Sequence, residues 1–473
     1  MKILGLIDTK PSAAAVMIDG KIVSAIAEER LCRKKMASGM PRQAITLVME
    51  EAGISPSDID YVAVAQNAHQ GFQPEPVPWS GWFKDRIESR KLDTYVFEHL
   101  SGALAPVVGK MPISWEVHHK TKKFISRGRL KKIPTLLQEA YNITAPVRFY
   151  DHHYCHATSA YYTSNFQDAL VVTLDGGGDG LSGSVYLGEQ GKLRRLTKVD
   201  SFNSLGNFYS YITELCGFRA EKHEGKITGL AALGEPIYAN ILRQFIRYEE
   251  PGQILYSIPI FHNSALKTIA AKLPQDFDKA ALAASVQLVL EEIGTAFIQY
   301  WLRHTGKRDL AVAGGVFANV KFNQRVHELE EVDHFFVHPA MDDSGLSVGS
   351  AFAAAAEQPD LNPAQLIQRL SNVYFGSVFN NEEIEQAMTK AGCQGQYEEN
   401  IHKAIAQKLA AGRVVARFTG GMEYGPRALG HRSIMYLTTD PTVNDWLNKR
   451  LDRTEFMPFA PATLIEHAHD WYL

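Results

Sequence analysis

Apolar residues open the chain in three short runs. Ile3–Ile7 comes first, Ala13–Ile18 second, and Lys21–Ala27 follows directly after Asp19-Gly20. Aliphatic runs of this length split by Asp-Gly predict a strand followed by a β-hairpin. Helical spacing of apolar positions then predicts a helix from about Arg42 to Ala52. The same pattern returns further on. Leu170–Leu174 reads as a strand, and Asp175 to Gly180 as a Gly-rich turn. Gly183–Leu187 and Lys192–Thr197 then form a hairpin around Gly188-Glu189-Gln190-Gly191. Strand, loop and hairpin therefore occur twice. Repetition on that scale predicts two domain halves facing a common cleft suited to a nucleotide or phosphoester.

The remaining pattern places other elements around these halves. Lys279–Leu302 reads as a helix and Leu310–Ala313 as a strand, which ends in Gly314-Gly315-Val316-Phe317-Ala318-Asn319. A strand, a glycine pair and a helix make a place where a ligand can sit against backbone, although glycine pairs also serve tight strand–helix packing. Phe335–His338 is strand-like, Ala351–Gln358 closes a helix, and Pro359–Pro363 reads as a linker. Composition restarts at Val373, which puts a boundary near 371 and divides the chain into 1–370 and 371–473. Residues 66–130 are rich in proline, tryptophan and charge, and read as an insertion serving as a lid or a substrate-facing surface.

Bulk composition removes several classes of function. The 473 residues carry 49 Lys+Arg against 52 Asp+Glu, a net charge of -3. A nucleic-acid partner would leave a basic bias, so none is expected. No apolar run approaches the roughly 20 residues of a membrane span, and the first apolar run breaks too early for a signal peptide. Cys32, Cys155, Cys216 and Cys393 form no C-x-x-C pair and read as reduced thiols of a cytoplasmic protein. No heptad run or interface stripe specifies an oligomeric state.

Candidate chemistry lies in three stretches. In Asp151-His152-His153-Tyr154-Cys155-His156, the spacing of His152 and His156 puts two imidazoles on one helix face, within reach of one ion. Asp175 and Asp343 can add oxygen, a set that suits Fe(II), Mn(II) or Zn(II) rather than calcium. A pair of core histidines at a helix start is the competing reading, and Cys155 reads as a packing residue before a ligand. The second stretch is Gly420 to Ile434. It packs Arg427 and Arg432 with His431 and Ser433 into a Gly-rich loop after the strand Val414–Phe418, and Arg417 and Arg453 are able to join them. Guanidinium forks suit phosphate oxygens, whereas a solvated loop would pair its arginines with carboxylates such as Glu423. The third, Lys222 to Gly234, sets Glu224 and Lys226 beside glycines; it shapes an acceptor or metal pocket, or simply starts a core helix.

Taken together these motifs resemble the O-carbamoyltransferases of the nodulation and antibiotic-tailoring type, including the tobramycin and cephamycin enzymes. The resemblance rests on Glu28-Glu29-Arg30, Asp151-His152-His153 with His156-Ala157, Leu174-Asp175-Gly176, Glu224-Gly225-Lys226 with Gly229-Leu230, Gly314 to Asn319, Gly425 to Ser433, and Pro458-Phe459-Ala460-Pro461. They run in the family's order across nearly the whole chain. The resemblance implies an α/β fold: a duplicated actin/Hsp70/sugar-kinase-like (Kae-type) domain, then an α/β YrdC-like domain. It implies ATP and carbamoyl phosphate as co-substrates for carbamoyl adenylate, with transfer to a hydroxyl of a sugar-like or natural-product acceptor. It further implies Fe(II) on His152, His156, Asp175 and Asp343. Gly176, Gly177, Gly178, Asp179, Gly314, Gly315 and Asn319 would face the nucleotide, and Lys10, Glu224 and Lys226 would line the catalytic pocket. Arg417, Arg427, His431, Arg432, Ser433 and Arg453 would hold carbamoyl phosphate and ATP.

The sequence also departs from that family. Lys10-Pro11 precedes Ser12-Ala13-Ala14 where the family has His-Asp, and Met36 follows Lys34-Lys35 where the family has His. Leu451 and Met457 replace a lysine and an arginine expected to hold phosphates, and the YrdC-like domain stops short of the family's usual C-terminus, as an incomplete domain would. Two alternatives follow: an ATP-dependent small-molecule kinase of the same fold with Asp175 as base, and a weakened binding or scaffold member.

Overall fold

The structure is a computed structural model that describes residues 1–67, 73–78, 127–258, 260, 262–440, 442–451 and 459–472. Most of the expected insertion at 66–130 lies outside these residues, as do Arg453 and Met457.

The opening hairpin forms as its pattern predicts. Strands β1 (Lys2–Ile7), β2 (Ala13–Ile18) and β3 (Lys21–Ala27) are antiparallel neighbours. After helix α1 (Arg42–Glu51), strand β5 (Tyr61–Ala65) pairs parallel with β1; the two-residue strands β4 (Ala37–Ser38) and β6 (Val77–Pro78) pair with each other. Helix α2 (Arg127–Tyr141) leads to β7 (Val147–Tyr150), parallel to β5, which completes the order β3-β2-β1-β5-β7. Helix α3 (His152–Thr163) then enters the second half. Here β8 (Asp168–Gly178), β9 (Leu181–Glu189) and β10 (Lys192–Asp200) form the antiparallel part. Helices α4 (Leu205–Leu215) and α5 (Glu224–Ala231), the hairpin β11 (Ile246–Glu249) and β12 (Gln253–Tyr256), and helix α6 (Lys279–Thr305) follow. Strand β13 (Asp309–Ala313), helix α7 (Val320–His327) and strand β14 (His334–Val337) complete the order β10-β9-β8-β13-β14. The two sheets share strand order and strand sense.

The expected glycine turn is tighter and later than the sequence pattern placed it. Strand β8 continues through Gly176 and Gly177 to Gly178, with a register shift between Leu174 and Gly178. The turn itself is Asp179-Gly180, both at positive φ. A bulge of this kind re-aims the side chains it carries, and here it carries Asp175.

Burial divides the core into three. One cluster covers the outer face of the first sheet, with Leu4, Val16, Ile45 and Val62. Another covers the outer face of the second sheet, with Leu170, Val312 and the apolar face of α6. Helix α6 is long and apolar enough to cross a membrane by composition, yet 72% of its most apolar window is buried inside the protein. The third cluster lies between the sheets, where α3 packs beside helix α8 (Leu346–Ala356). Thr158 of α3 donates to the Gly349 carbonyl of α8 at 2.7 Å. The ligand-bearing helix is therefore held between the second sheet and α8, which itself packs on the first sheet.

Beyond residue 371 the chain first stays on the first lobe. Ala25 N–H and Ser24 Oγ both donate to the Phe375 carbonyl, at 3.1 and 3.0 Å. Helices α9 (Asn381–Lys390) and α10 (Ile401–Ala410) then bury none of their residues, and β15 (Val415–Phe418) pairs only with β16 (Arg432–Met435) among the described residues. Helix α11 (Val443–Arg450) buries Leu447 and Asn448.

Candidate metal centre

Helix α3 starts with a side-chain cap. The Asp151 carboxylate accepts the Tyr154 N–H at 2.9 Å, satisfying one of the free amides of the first turn. A second carboxylate, Asp179, accepts the N–H groups of His152 and Asn67, each at 2.9 Å. Asp179, expected to face the nucleotide, fixes the start of α3 through its Oδ2. Gly178 matters for a related reason, because a Cβ there would lie 2.2 Å from the His152 ring. The glycine leaves the space the imidazole occupies.

His152 and His156 project one turn apart from α3 toward two carboxylates. Their Nε2 atoms lie 3.1 and 3.9 Å from Asp175 Oδ2, and 3.6 and 3.4 Å from Asp343 Oδ1. All four ligand atoms fall within 4.8 Å of one another. A tetrahedral shell with bonds of about 2.1 Å has edges of about 3.4 Å, so the spacing fits a first-row divalent ion. The histidines are fully buried, and neither His156 ring nitrogen has a hydrogen-bond partner. Unpartnered buried nitrogens are costly unless something else satisfies them. Asp175 is held by a backbone donor, since Gly315 N–H reaches its Oδ1 at 3.1 Å. The glycine pair after β13 thus orients a ligand carboxylate. Cys155 is buried and outside the cluster, in keeping with a packing role.

The electrostatics follow from this crowding. Burial pushes His152 down, but Asp343 and Asp175 outweigh it and carry the imidazole up to about 9. His156 moves upward for the same reasons. Asp175 resists the upward push of burial and falls well below the usual carboxylate range because both imidazoles face it. His153, next along α3, is driven down to about 3 by burial and by His152 and His156. Its Nδ1 pairs with Thr173 Oγ1 at 2.9 Å, so it belongs to the core. A cation entering the cluster would displace any proton the imidazoles carry.

The other expected positions are distributed differently. Lys10, in the turn between β1 and β2, forms an ion pair with Glu221 of the second lobe. Glu221 was not legible as a site residue from the sequence. Burial, opposed by Lys10 and reinforced by Glu224 and Asp175, raises its carboxyl to about 7. Glu224 accepts from Ser210 Oγ at 2.6 Å and from Glu221 N–H, while the Lys226 ammonium sits 5.4 Å from the Phe218 ring centre. Asn319, expected to face the nucleotide, caps α7 through its Oδ1 and pairs with Gln287.

Around the Gly-rich loop, Arg432 turns to the backbone. Its guanidinium donates to the carbonyls of Thr419, Gly420, His431 and Ser377 and lies 3.7 Å over Phe418. The His431 ring stacks on Tyr374 at 3.5 Å and pairs with the Gly421 carbonyl, and Ser433 Oγ accepts the Gly430 N–H. Glu423 pairs with neither arginine; it accepts three loop amides, from Leu429, His431 and Arg432. Arg427 reaches across to the Ala318 carbonyl at 3.0 Å. Arg417 is half-buried on β15.

Comparison with known proteins adds family information. Residues 2–352 match the family model described as carbamoyltransferase N-terminus, and 406–473 match the one described as carbamoyltransferase C-terminus. The chain is similar to the uncharacterized protein sll1178 of Synechocystis sp., 30% identical over 485 residues, covering 98% of this chain and 75% of that one. It is 29% identical over 470 residues to nodulation protein NolNO of Sinorhizobium fredii, covering 97% of this chain and 63% of the relative. Among solved structures, full-length HypF in its phosphate- and nucleotide-bound form superposes with a TM-score of 0.43 at 13% identity, covering 76% of this chain and 56% of that one. So loose a superposition bears on neither fold nor function.

Proposed function

This chain belongs to the carbamoyltransferase family, and from that premise we propose that it moves a carbamoyl group from carbamoyl phosphate to a hydroxyl of a sugar-like or natural-product acceptor, through carbamoyl adenylate made with ATP. The observation that carries the proposal is the His152, His156, Asp175 and Asp343 cluster between two matching sheets in a member of that family. The matching sheets are what a duplicated actin-like domain would show. In the transfer, the acceptor oxygen forms a bond to the carbamoyl carbon, the bond from that carbon to the adenylate phosphate oxygen breaks, AMP leaves, and the hydroxyl proton passes to a base.

The four ligands would hold a divalent ion, Fe(II) on the resemblance, which when bound neutralises charge on the adenylate and on the developing oxyanion. Gly315 and Asp179 keep that cluster in place, one through a ligand carboxylate and the other through the backbone of α3. Glu221, poised near neutrality and paired with Lys10 from the opposite lobe, is suited to take the hydroxyl proton.

The decisive experiment measures carbamoyl-phosphate-dependent pyrophosphate release from ATP, followed by carbamoylation of a panel of aminoglycosides and oligosaccharides. Pyrophosphate release that requires carbamoyl phosphate is the expected result. Phosphate transfer from ATP to a sugar, with no such release, would replace this reading with the kinase. One observation favours a second reading: Arg432 is occupied by backbone carbonyls, and Leu451 stands where a lysine was expected. A chain that binds metal and accepts supplied carbamoyl adenylate, but makes none, would fit it.

A further inference from the structure

A buried chain of hydrogen bonds runs from the C-terminal Gly-rich loop to the helix that carries the histidine ligands. Its centre is His338, fully buried at the end of β14, five residues before the ligand Asp343. His338 Nε2 meets the Tyr424 hydroxyl at 2.9 Å, and Nδ1 meets Thr163 Oγ1 at 3.0 Å. The direction of each bond can be worked out. Thr163 has one hydroxyl proton, and it goes to the Ser159 carbonyl at 2.6 Å. Thr163 Oγ1 must therefore accept from His338, which places the ring proton on Nδ1. Nε2 is then the acceptor, and Tyr424 is its donor. Burial supports a neutral ring, lowering His338 to about 3. The path continues along α3, where Ser159 Oγ donates to the His156 carbonyl at 2.9 Å.

The loop is seated so that Tyr424 can reach. Its N–H donates to the Val373 carbonyl at 2.7 Å, and Arg30 of the first lobe donates to the Gly425 carbonyl at 2.9 Å. A Cβ on Gly425 would lie 2.4 Å from the Pro339 carbonyl, so only glycine lets the loop close onto the segment leading to Asp343. One loop thus touches both structures that supply ligands: helix α3 through His338 and Thr163, and the turn to Asp343 through Pro339.

We propose that Tyr424 and His338 are positioning residues for the metal centre, with the C-terminal loop setting the height of α3 and the approach of Asp343 through the directed chain Tyr424–His338–Thr163. This rests on the reading of the four-residue cluster as a metal site. Partners bonded directly to metal ligands typically change metal affinity by about 10–100-fold when removed, and a chain acting through the backbone of α3 belongs at the low end of that range.

The test measures Zn(II) and Mn(II) affinity of the whole chain by competition with a chromophoric chelator. Alongside wild type stand His152→Ala, Tyr424→Phe, Thr163→Val, the double variant Tyr424→Phe/Thr163→Val, and the control Tyr374→Phe, whose hydroxyl donates to the Leu429 carbonyl of the same loop. Tyr424→Phe and Thr163→Val should each weaken binding by about tenfold. The double variant should lose no more than either alone, because one chain cannot be broken twice, and Tyr374→Phe should bind like wild type. Nitrogen NMR should find the Nδ1–H tautomer of His338 in wild type and a changed tautomer balance in Tyr424→Phe. Equal losses in Tyr374→Phe, or additive losses in the double variant, would mean a general destabilisation and overturn the proposal. Unchanged affinity in Tyr424→Phe would overturn it while leaving the cluster intact. A wild-type chain that binds no more metal than His152→Ala would remove the metal site itself, and the proposal with it.

Discussion

The two lobes place an aspartate at the same point and neutralise it in opposite ways. Asp8 follows β1, and Asp175 lies near the end of β8, the corresponding strand of the matching sheet. In the first lobe Arg129 of α2 forms an ion pair with Asp8, both side chains being 1% exposed, and also donates to the carbonyls of Gln66 and Ala65. In the second lobe Asp175 faces two imidazoles and a second carboxylate. A guanidinium is a permanent cation that fills its site and cannot be displaced by a metal. Imidazoles give up their protons, and neutral nitrogen is a ligand. One scaffold therefore carries a closed carboxylate and an open one, and the neutralising partner decides which.

Breaking the closed site should have the largest effect. Arg129→Met leaves a buried carboxylate uncompensated and should cost about 3–5 kcal/mol in urea unfolding, equally with and without added metal. A metal-dependent loss would mean that the two sites are not separate. At the open site the effect should appear only on loading. Metal at a hundred times its dissociation constant should stabilise wild type by about 2.7 kcal/mol. The same addition should do nothing for His156→Ala, which differential scanning fluorimetry will read directly.

A smaller effect comes from Gly178→Ala, whose methyl group meets the His152 ring. Metal affinity should fall by about tenfold while the apo chain still folds, as chelator competition will show. Smaller again are the titrations. His153 and His338 are held near 3 in the folded state against about 6.5 in the unfolded chain. Between those values the unfolded state binds more protons, so their contribution is complete above pH 6.5 and is lost as pH falls toward 3. His338→Gln should flatten the melting-temperature profile in that range. Glu221 has the opposite sign: its folded value is raised to about 7, so its contribution is complete below about 4.5 and fades as pH rises through 7. Glu221→Gln should remove that decline.

Much of this was legible in the sequence because it rests on local periodicity. The hairpin at Asp19-Gly20 and the i, i+4 histidines each need only neighbouring residues to be recognised. The repeat was also visible, yet the equivalence of Asp8 and Asp175 was not, because their partners come from different distances. Arg129 is 121 residues from Asp8, at the far end of the stretch expected to be an insertion. The resemblance put Asp179 and Asn319 at the nucleotide, and both also hold helix starts. Whether such a group faces a ligand or caps a helix depends on which backbone amides approach it.

The sequence by itself determined the two hairpins, the order of the motifs and the pair of imidazoles on one helix face, since these follow from spacing along a regular backbone. Only the tertiary structure decided that Asp175 and Asp343 meet those imidazoles, that Arg129 seals Asp8, that Arg432 serves backbone carbonyls, and that Tyr424 reaches His338. Each of these joins residues far apart in the chain, and packing of the two sheets against α3 and α8, rather than any local preference, sets the distance between them.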